Sequence, residues 1–330
     1  MELFSVKEIN SFKKRGQQLI KVENLVKNYG EVKAVKSISF EVKNGEILGF
    51  LGENGAGKST TLKIISGYLT QTSGNVTIDG MNSKQKSYEI KNMIGYLPEL
   101  NPLYPEMRVY DYLKFIAGTY NIIDGEFNTS LDRVVEQCGL SGYVHKKIAE
   151  CSKGYKQRTG LASALIHDPK ILLLDEPVSG LDPNQRIEIR KLIQELGKEK
   201  VVMVSSHNLD QIRQTVDRMI IIDNGELVAD GTADELVKKS KGSNILNLEI
   251  KTKSDLKEID FNIESVTLID SIKKEDIYHL TFEYPSNLDA REEIFQFALK
   301  NQWVILGMTT SGTSLEDVFR TLTMEEIADA

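Results

Sequence analysis

One stretch of the chain constrains its fold more than any other, a glycine-rich run that begins at Gly52 and ends at Ser59. The run has the spacing G-x-x-x-x-G-K-S, and it stands between an apolar strand pattern at residues 46–51 and a helical pattern at residues 58–69. Glycines let backbone N–H groups turn inward on a phosphate, and the start of the following helix adds partial positive charge. The sequence therefore predicts a phosphate-binding loop between a strand and a helix.

The residues of this run are predicted to contact a nucleotide in two ways. The loop backbone supplies N–H groups, whereas Lys58 reaches the β- and γ-phosphate oxygens and the hydroxyl of Ser59 binds Mg²⁺. The full set predicted to bind nucleotide in this run is Gly52, Asn54, Gly55, Ala56, Gly57, Lys58, Ser59 and Thr60.

Two adjacent carboxylates follow a second apolar stretch, at residues 171–174. An aspartate at the end of a buried strand, here Asp175, is placed to hold Mg²⁺ through water. Glu176 beside it is placed to act as the general base that takes a proton from an attacking water. Together with the phosphate-binding loop, this pair predicts an enzyme that binds and hydrolyses a nucleoside triphosphate.

Charge and composition exclude several other classes of protein. The 330 residues carry 41 Lys and Arg against 48 Asp and Glu, a net charge of −7, whereas a nucleic-acid-binding protein usually has a basic balance. The 2 cysteines, Cys138 and Cys151, cannot build a disulfide framework and suit a reducing compartment. No apolar run approaches the roughly 18–20 residues of a membrane span. We therefore expect a cytoplasmic chain of about two domains that does not bind nucleic acid.

Changes in pattern divide the chain into three parts. We expect an N-terminal extension at residues 1–18, an α/β domain at 19–238 with a helical region at about 100–168, and a small α+β domain at 244–330. Two interpretations of the extension stay open, an amphipathic helix that docks on a membrane or a partner, and a solvated terminus.

Local signals place further elements. Asn-Gly pairs at residues 44–45 and 224–225 predict two β-hairpins. The C-terminal part carries strand and helix patterns at residues 245–251, 266–271, 277–284, 289–301, 303–308 and 315–322.

Several further motifs resemble those of the ABC ATPases. Residues 151–158 are similar to the signature motif L-S-G-G-Q of that family, and residues 179–183 match its D-loop. His207 stands at the position of the switch histidine, and Tyr29 stands where the family stacks an aromatic ring on adenine. The motifs follow in the order of the family, and the resemblance covers about residues 19–235.

The resemblance implies an α/β fold of the P-loop NTPase class, with a mixed sheet and a helical subdomain, and ATP and Mg²⁺ as ligands. It implies a head-to-tail dimer in which Ser152 and Gly154 of one chain close the ATP site of the other. Both half-sites are present in this sequence, which favours a homodimer, and a heterodimer stays open. The resemblance also implies that His207 senses the γ-phosphate, that Asp182 lies at the nucleotide and that Tyr29 contacts adenine. Taken singly, Ser152 and Asp182 are also ordinary helix starts, and His207 and Tyr29 ordinary loop and strand-end residues.

Two motifs depart from the family pattern. The family has glutamine where this chain has Glu99, and a carboxylate there adds negative charge near Mg²⁺. We expect Glu99 to contact the nucleotide or the metal. The signature has Cys151, Lys153 and Tyr155 in place of leucine, glycine and glutamine, while its serine and second glycine are present. We expect ATP hydrolysis, with an altered rate or metal preference.

A narrower resemblance rests on residues 95–104, 152–155 and 314–319. These segments are similar to ATP-binding subunits that pair with ABC-2-type permeases, and most of all to gliding-motility-associated ATP-binding proteins. The resemblance implies a separate membrane permease, export as the direction of transport, and a peripheral position on the cytoplasmic face of the membrane.

The same resemblance implies that residues 101–115 contact the permease, and Tyr104, Pro105 and Met107 are the candidate contact residues. Local loop packing is the other explanation of these three side chains. Two further functions stay open, a soluble ABC ATPase that serves as an assembly scaffold, and a module that binds ATP with little turnover.

Overall fold

A computed structural model describes residues 18–239, 243–252, 263, 265–274, 276–285, 288–311 and 319. Residues 1–17 of the expected N-terminal extension lie outside this part, and so does the helix expected at residues 315–322, apart from Phe319. The chain divides into two compact units, one ending at Thr232 and the other beginning at Ala233. Each unit has a hydrophobic core of its own.

Two sheets build the first unit. Its strands are β1 (Gln18–Tyr29), β2 (Val32–Lys43), β3 (Ile47–Leu51), β4 (Ser73–Ile78), β5 (Met81–Asn82), β6 (Ile94–Leu97), β7 (Ile171–Asp175), β8 (Val201–Ser206), β9 (Arg218–Asp223) and β10 (Glu226–Gly231). The first sheet is antiparallel with the order β2-β1-β4-β5, and the second has the order β10-β9-β3-β8-β7-β6. The second sheet is mixed, because β10 runs antiparallel to β9 while the other pairs are parallel. This agrees with the predicted mixed sheet.

The strands at the centre of the mixed sheet are buried along their whole length. Every residue of β3, β7 and β8 is buried, as expected for parallel strands that are covered on both faces. The carboxyl ends of these strands carry the phosphate-binding loop, Asp175 and His207 respectively. The topology therefore brings the predicted site residues to one edge of the sheet.

The helices of the first unit include a group that lies between β6 and β7 in the chain. The α-helices that the structure describes in the first unit are α1 (Lys58–Ile65), α2 (Ser87–Lys91), α3 (Val109–Thr119), α4 (Asp124–Cys138), α5 (Lys153–Leu165), α6 (Pro183–Gly197) and α7 (Leu209–Ile212), and those between β6 and β7 are α3, α4 and α5. Helices α3, α4 and α5 form the expected helical region. Helix α1 ends at Ile65, earlier than the expected end at residue 69, and a turn with Gly67 at φ +71° follows it.

The prediction of a β-hairpin at Asn44 and Gly45 is wrong, because the strands on either side of this turn do not pair. β2 belongs to the first sheet and β3 to the second, so this turn carries the chain from one sheet to the other. The uniformly apolar β3 is buried between β8 and β9, whereas β2 alternates between buried and exposed residues and pairs with β1. The hairpin expected around Asn224 and Gly225 is confirmed, because Asp223 pairs with Glu226 there.

The second unit combines helices with an antiparallel sheet, as expected for an α+β domain. Its elements are α8 (Ala233–Lys239), β11 (Ser243–Lys251), β12 (Thr267–Lys274), β13 (Ile277–Pro285), α9 (Arg291–Lys300) and β14 (Val304–Ser311). The strand order is β12-β13-β11-β14. Leu248, Phe282, Ile294 and Trp303 are among the buried residues of its core. Among the helices that the structure describes in either unit, none has the length and apolarity to cross a bilayer.

Candidate active site

The glycine-rich loop connects β3 to α1 and borders a cavity of about 260 Å³, which we call the loop cavity. The predicted loop residues that line it are Asn54, Gly55, Gly57, Lys58, Ser59 and Thr60. Glu99 and Glu176 line it as well. The two other predicted loop residues are not among its lining: Gly52 donates its N–H to the carbonyl of Ser206 at 3.3 Å, and Ala56 is buried in the core.

Two glycines of the loop are required by close backbone approaches. A Cβ at Gly52 would lie 2.2 Å from the carbonyl oxygen of Ile222. A Cβ at Gly57, which has φ +107°, would lie 2.5 Å from the carbonyl oxygen of Ala34. Ile222 lies in β9 and Ala34 lies in β2. Any larger residue at either glycine would push the loop away from these two strands, so both glycines set the position of the loop.

Lys58 is the cation of the loop cavity. Its side chain is only 5% exposed, and its Nζ donates to the carbonyls of Gly52 at 2.6 Å and Glu53 at 2.9 Å. Burial lowers the pKa of Lys58, and the carboxylates of Glu176 and Asp175 oppose that effect. Its nearest ion-pair partner is the Oε1 of Glu176, at 4.0 Å. A phosphate oxygen would give this ammonium group a charged acceptor in place of neutral carbonyls.

A network of hydroxyl groups surrounds Asp175. Ser59 and Ser205 both donate their hydroxyls to its Oδ1, at 3.0 and 2.6 Å. Ser205 in turn accepts the backbone N–H of Glu176 at 3.0 Å. The network ties the phosphate-binding loop to the ends of β7 and β8.

The oxygen atoms of Ser59 and Asp175 suit a hard cation such as Mg²⁺. They face each other at hydrogen-bond distance, which fits the predicted shared metal site. Within the described ranges no group of three or more His, Cys, Asp and Glu side chains could hold a metal by itself. Phosphate and water oxygens would have to complete the coordination, as is usual for Mg²⁺.

Glu176 has an unusual backbone and a defined orientation. It has φ +49°, in the left-handed region, and its side chain is 5% exposed. Its Oε1 accepts a hydrogen bond from Nδ1 of His207 at 2.8 Å, whereas its buried Oε2 has no hydrogen-bond partner among the residues that the structure describes. Strained backbone of this kind is concentrated at functional sites. One carboxylate oxygen is therefore held by His207, and the other has no hydrogen-bond partner among the described residues.

Glu99 lines the loop cavity. This chain has a glutamate at the position where the family pattern has glutamine, so a carboxylate replaces an amide at the site. We expect Glu99→Gln to leave steady-state ATP turnover within about an order of magnitude, which corresponds to a change of about 1.4 kcal/mol in the barrier. The reason is that Ser59 and Asp175 already supply the predicted metal ligands. The measurement is phosphate release across a Mg²⁺ titration. Complete loss of turnover would show that the acid itself is required.

The signature motif begins helix α5. Ser152 caps this helix, since its Oγ accepts the N–H of Tyr155 at 3.4 Å. Gly154 is packed against Gln185 of α6, where a Cβ would lie 2.6 Å from the Gln185 side chain. Of the described residues that line the loop cavity of the same chain, none belongs to the signature motif.

The last two predicted contacts also lie outside the lining of the loop cavity. Asp182 caps α6, with its Oδ1 accepting the N–H of Gln185 at 3.0 Å. Tyr29 ends β1 with its side chain 49% exposed, and the Nζ of Lys27 lies 5.1 Å from the centre of its ring. The predicted nucleotide contacts of Asp182 and Tyr29 are therefore not seen in the lining of this cavity within one chain.

Comparison with known proteins decides the family. Residues 35–179 match the family model of the ABC transporter. The chain is 33% identical over 301 residues to the ABC transporter ATP-binding protein YxlF of Bacillus subtilis (strain 168), and the match covers 91% of this chain and 98% of YxlF. This chain belongs to the ABC transporter ATP-binding proteins.

Two further matches support that assignment. The ABC ATPase described here is 35% identical to the bacitracin transport ATP-binding protein BcrA of Bacillus licheniformis over 304 residues, which are 91% of this chain and 96% of BcrA. Its fold matches that of the ATP-binding cassette MJ0796, in a dimeric post-hydrolysis state bound to ADP and Pi, with a TM-score of 0.60, 26% identity, and coverage of 65% of this chain and 98% of that one. The chain is an ATP hydrolase of the ABC type.

The structure adds residues of this ABC ATPase that the sequence did not single out. Ser205 joins Asp175 to the backbone of Glu176, and its place at the end of a strand beside β7 is the only sequence signal for that contact. Tyr143 stacks on Tyr155 of the signature motif, with ring centres 3.5 Å apart. The aromatic residue that replaces the signature glutamine thus packs against a segment outside the motif.

Proposed function

We propose that this chain is the ATP-hydrolysing subunit of an ABC-2-type transporter and powers a separate membrane permease, with export as the direction. The observation that carries the catalytic part is the buried Glu176 carboxylate, which His207 holds at the wall of the loop cavity. The transport part is supported by the relative BcrA, which is named for bacitracin transport. The similarity to gliding-motility-associated proteins stays a prediction about the subgroup.

The proposed chemistry assigns one task to each side chain. The loop backbone and Lys58 bind the phosphates of ATP, and Ser59 and Asp175 would hold Mg²⁺ with Glu99 nearby. When bound, Mg²⁺ neutralises charge on the β- and γ-phosphates. The carboxylate of Glu176 accepts a proton from the attacking water, while His207 keeps that carboxylate in place.

We propose that the complete site forms between two copies of the chain, head to tail. Ser152 and Gly154 do not line the loop cavity of their own chain, which leaves the start of α5 available to the nucleotide of a second chain. The N-terminus of a helix favours an anion such as the γ-phosphate. One sequence carries both half-sites, which supports a homodimer.

The proposed permease contact is a second cavity, of about 370 Å³, which we call the helical cleft. It lies between the end of β6 and the helical region, and its lining includes Pro98, Pro102, Tyr112, Ile116 and Tyr120. This apolar character suits a helical segment of a partner protein.

Tyr104 lies close to the helical cleft, because its ring packs 6.2 Å from that of Tyr112, and it stays 52% exposed. If it contacts a permease, the chain takes a peripheral position on the cytoplasmic face of the membrane. We therefore expect Tyr104→Asp to weaken permease binding by placing a charge in an apolar contact.

The experiment is purification of the tagged chain from gently solubilised membranes, with identification of the proteins that elute with it. We expect a hydrophobic protein with several membrane-spanning helices, recovered less well with Tyr104→Asp. Val228→Asp, at an exposed position of β10, is the control and is expected to leave recovery unchanged. Recovery only from the soluble fraction, with soluble partners or none, would support an assembly scaffold instead.

A further inference from the structure

Tyr96 is a residue of the helical cleft whose strand lies beside β7. It lines the helical cleft from strand β6, and β6 pairs in parallel with β7 so that Tyr96 is opposite Leu173. Paired residues on neighbouring strands share a face of the sheet, and so do residues two apart on one strand. The side chains of Tyr96 and Asp175 therefore project from the same face.

The hydroxyl of Tyr96 is buried and has no hydrogen-bond partner in the described part of the chain. A buried hydroxyl without a partner is unfavourable and calls for a functional explanation. Burial and the nearby carboxylate of Asp175 raise the pKa of Tyr96, so the phenol keeps its proton and remains a donor. The Asp175 carboxylate, on the same face of the sheet, already accepts two serine hydroxyls on its Oδ1.

We propose that Tyr96 is a positioning residue for Asp175, and that through it the contents of the helical cleft act on the metal site. This inference rests on the proposed function, since it takes Asp175 as a metal ligand and the helical cleft as a partner site. The phenol hydroxyl is unpaired in the described part of the chain, and in this assignment it would donate to the Asp175 carboxylate when the metal site is filled. A partner segment that shifts the ring in the cleft shifts the hydroxyl at Asp175, and with it the affinity for Mg²⁺.

The first test is Tyr96→Phe, which removes the hydroxyl and keeps the ring. We expect the Mg²⁺ concentration for half-maximal ATP turnover to rise about tenfold, the lower scale for loss of an outer partner of a metal ligand. ATP affinity measured without Mg²⁺ is expected to stay unchanged, which a general loss of folding would not allow. Tyr88→Phe, at an exposed position of α2, is the control for the chemical change.

The second test fills the helical cleft in the full chain. Ile116→Cys lines the cleft, and a bulky maleimide should label it selectively because Cys138 and Cys151 are buried. The label is expected to shift the Mg²⁺ dependence in the otherwise unchanged chain, and to have little further effect in the Tyr96→Phe background.

Two results would overturn the proposal: an unchanged Mg²⁺ dependence in Tyr96→Phe, or equal effects of the label with and without the Tyr96 hydroxyl. A different result would be expected if the proposed catalytic site itself were wrong. In that case the unaltered chain itself would show no Mg²⁺-dependent ATP turnover.

Discussion

Glu176→Gln is expected to lower steady-state ATP turnover by at least about 10²-fold, the lower scale for loss of general base catalysis. The amide has nearly the shape of the carboxylate but cannot accept the proton of the attacking water. ATP binding is expected to persist, because Lys58 and the loop backbone are unchanged. The measurement is phosphate release at saturating ATP and Mg²⁺, together with nucleotide affinity by titration.

Two companion variants sharpen this prediction. Glu176→Asp keeps the charge but withdraws the carboxylate from His207 and from the cavity wall, so it is expected to be strongly impaired as well. Glu89→Gln removes a carboxylate that is paired with Lys86 on the exposed side of α2, and it is expected to leave turnover unchanged. Undiminished turnover of Glu176→Gln would remove the assignment of Glu176 as the base.

Lys58→Ala is expected to weaken nucleotide binding itself by about 10- to 100-fold, from the loss of charged hydrogen bonds worth about 1.5–3 kcal/mol. The variant also loses the two bonds by which Nζ holds the carbonyls of Gly52 and Glu53, so the loop itself becomes less ordered. Both effects act before chemistry, and they distinguish this variant from Glu176→Gln. The measurement is equilibrium binding of ATP with and without Mg²⁺.

The matched control for this variant is Lys63→Ala, a lysine in the last turn of the same helix. It does not line the loop cavity and is expected to bind ATP as tightly as the unaltered chain. Unchanged ATP affinity of Lys58→Ala would count against the phosphate-binding role of the loop.

The parts of the site that the sequence predicts best are contiguous ones. The run from Gly52 to Ser59 and the pair Asp175 and Glu176 each combine a short motif with a strand that is buried throughout. Parallel strands place their carboxyl ends together, so two local motifs become neighbours without any knowledge of side-chain contacts. The structure brings these motifs together at Ser59 and Asp175.

The sequence predicts less where a contact joins distant segments. The Asn-Gly pair at residues 44–45 is a correct turn signal, but local chemistry does not show that β3 pairs with β8 and β9 instead of β2. The roles of Ser205 and Tyr96 likewise depend on which strands lie beside β7. Periodicity alone does not give that order.

The signature motif presents a different limit. Its resemblance to the family implies a contact with nucleotide, yet within one chain Ser152 is a helix cap and Gly154 packs on Gln185. Both observations are compatible with a site that is completed by a second copy. A single chain shows only half of such a site, so the decisive test has to measure association.

The most direct test of the composite site is sedimentation velocity of Glu176→Gln with and without ATP, because slow hydrolysis preserves the ATP-bound form. We expect a monomer without ATP and a dimer at saturating ATP. Adding Ser152→Phe to Glu176→Gln should abolish the dimer, while each chain still binds ATP through Lys58. A monomer at saturating ATP, or a dimer that forms equally well with Ser152→Phe, would contradict the proposal that two copies share the ATP sites.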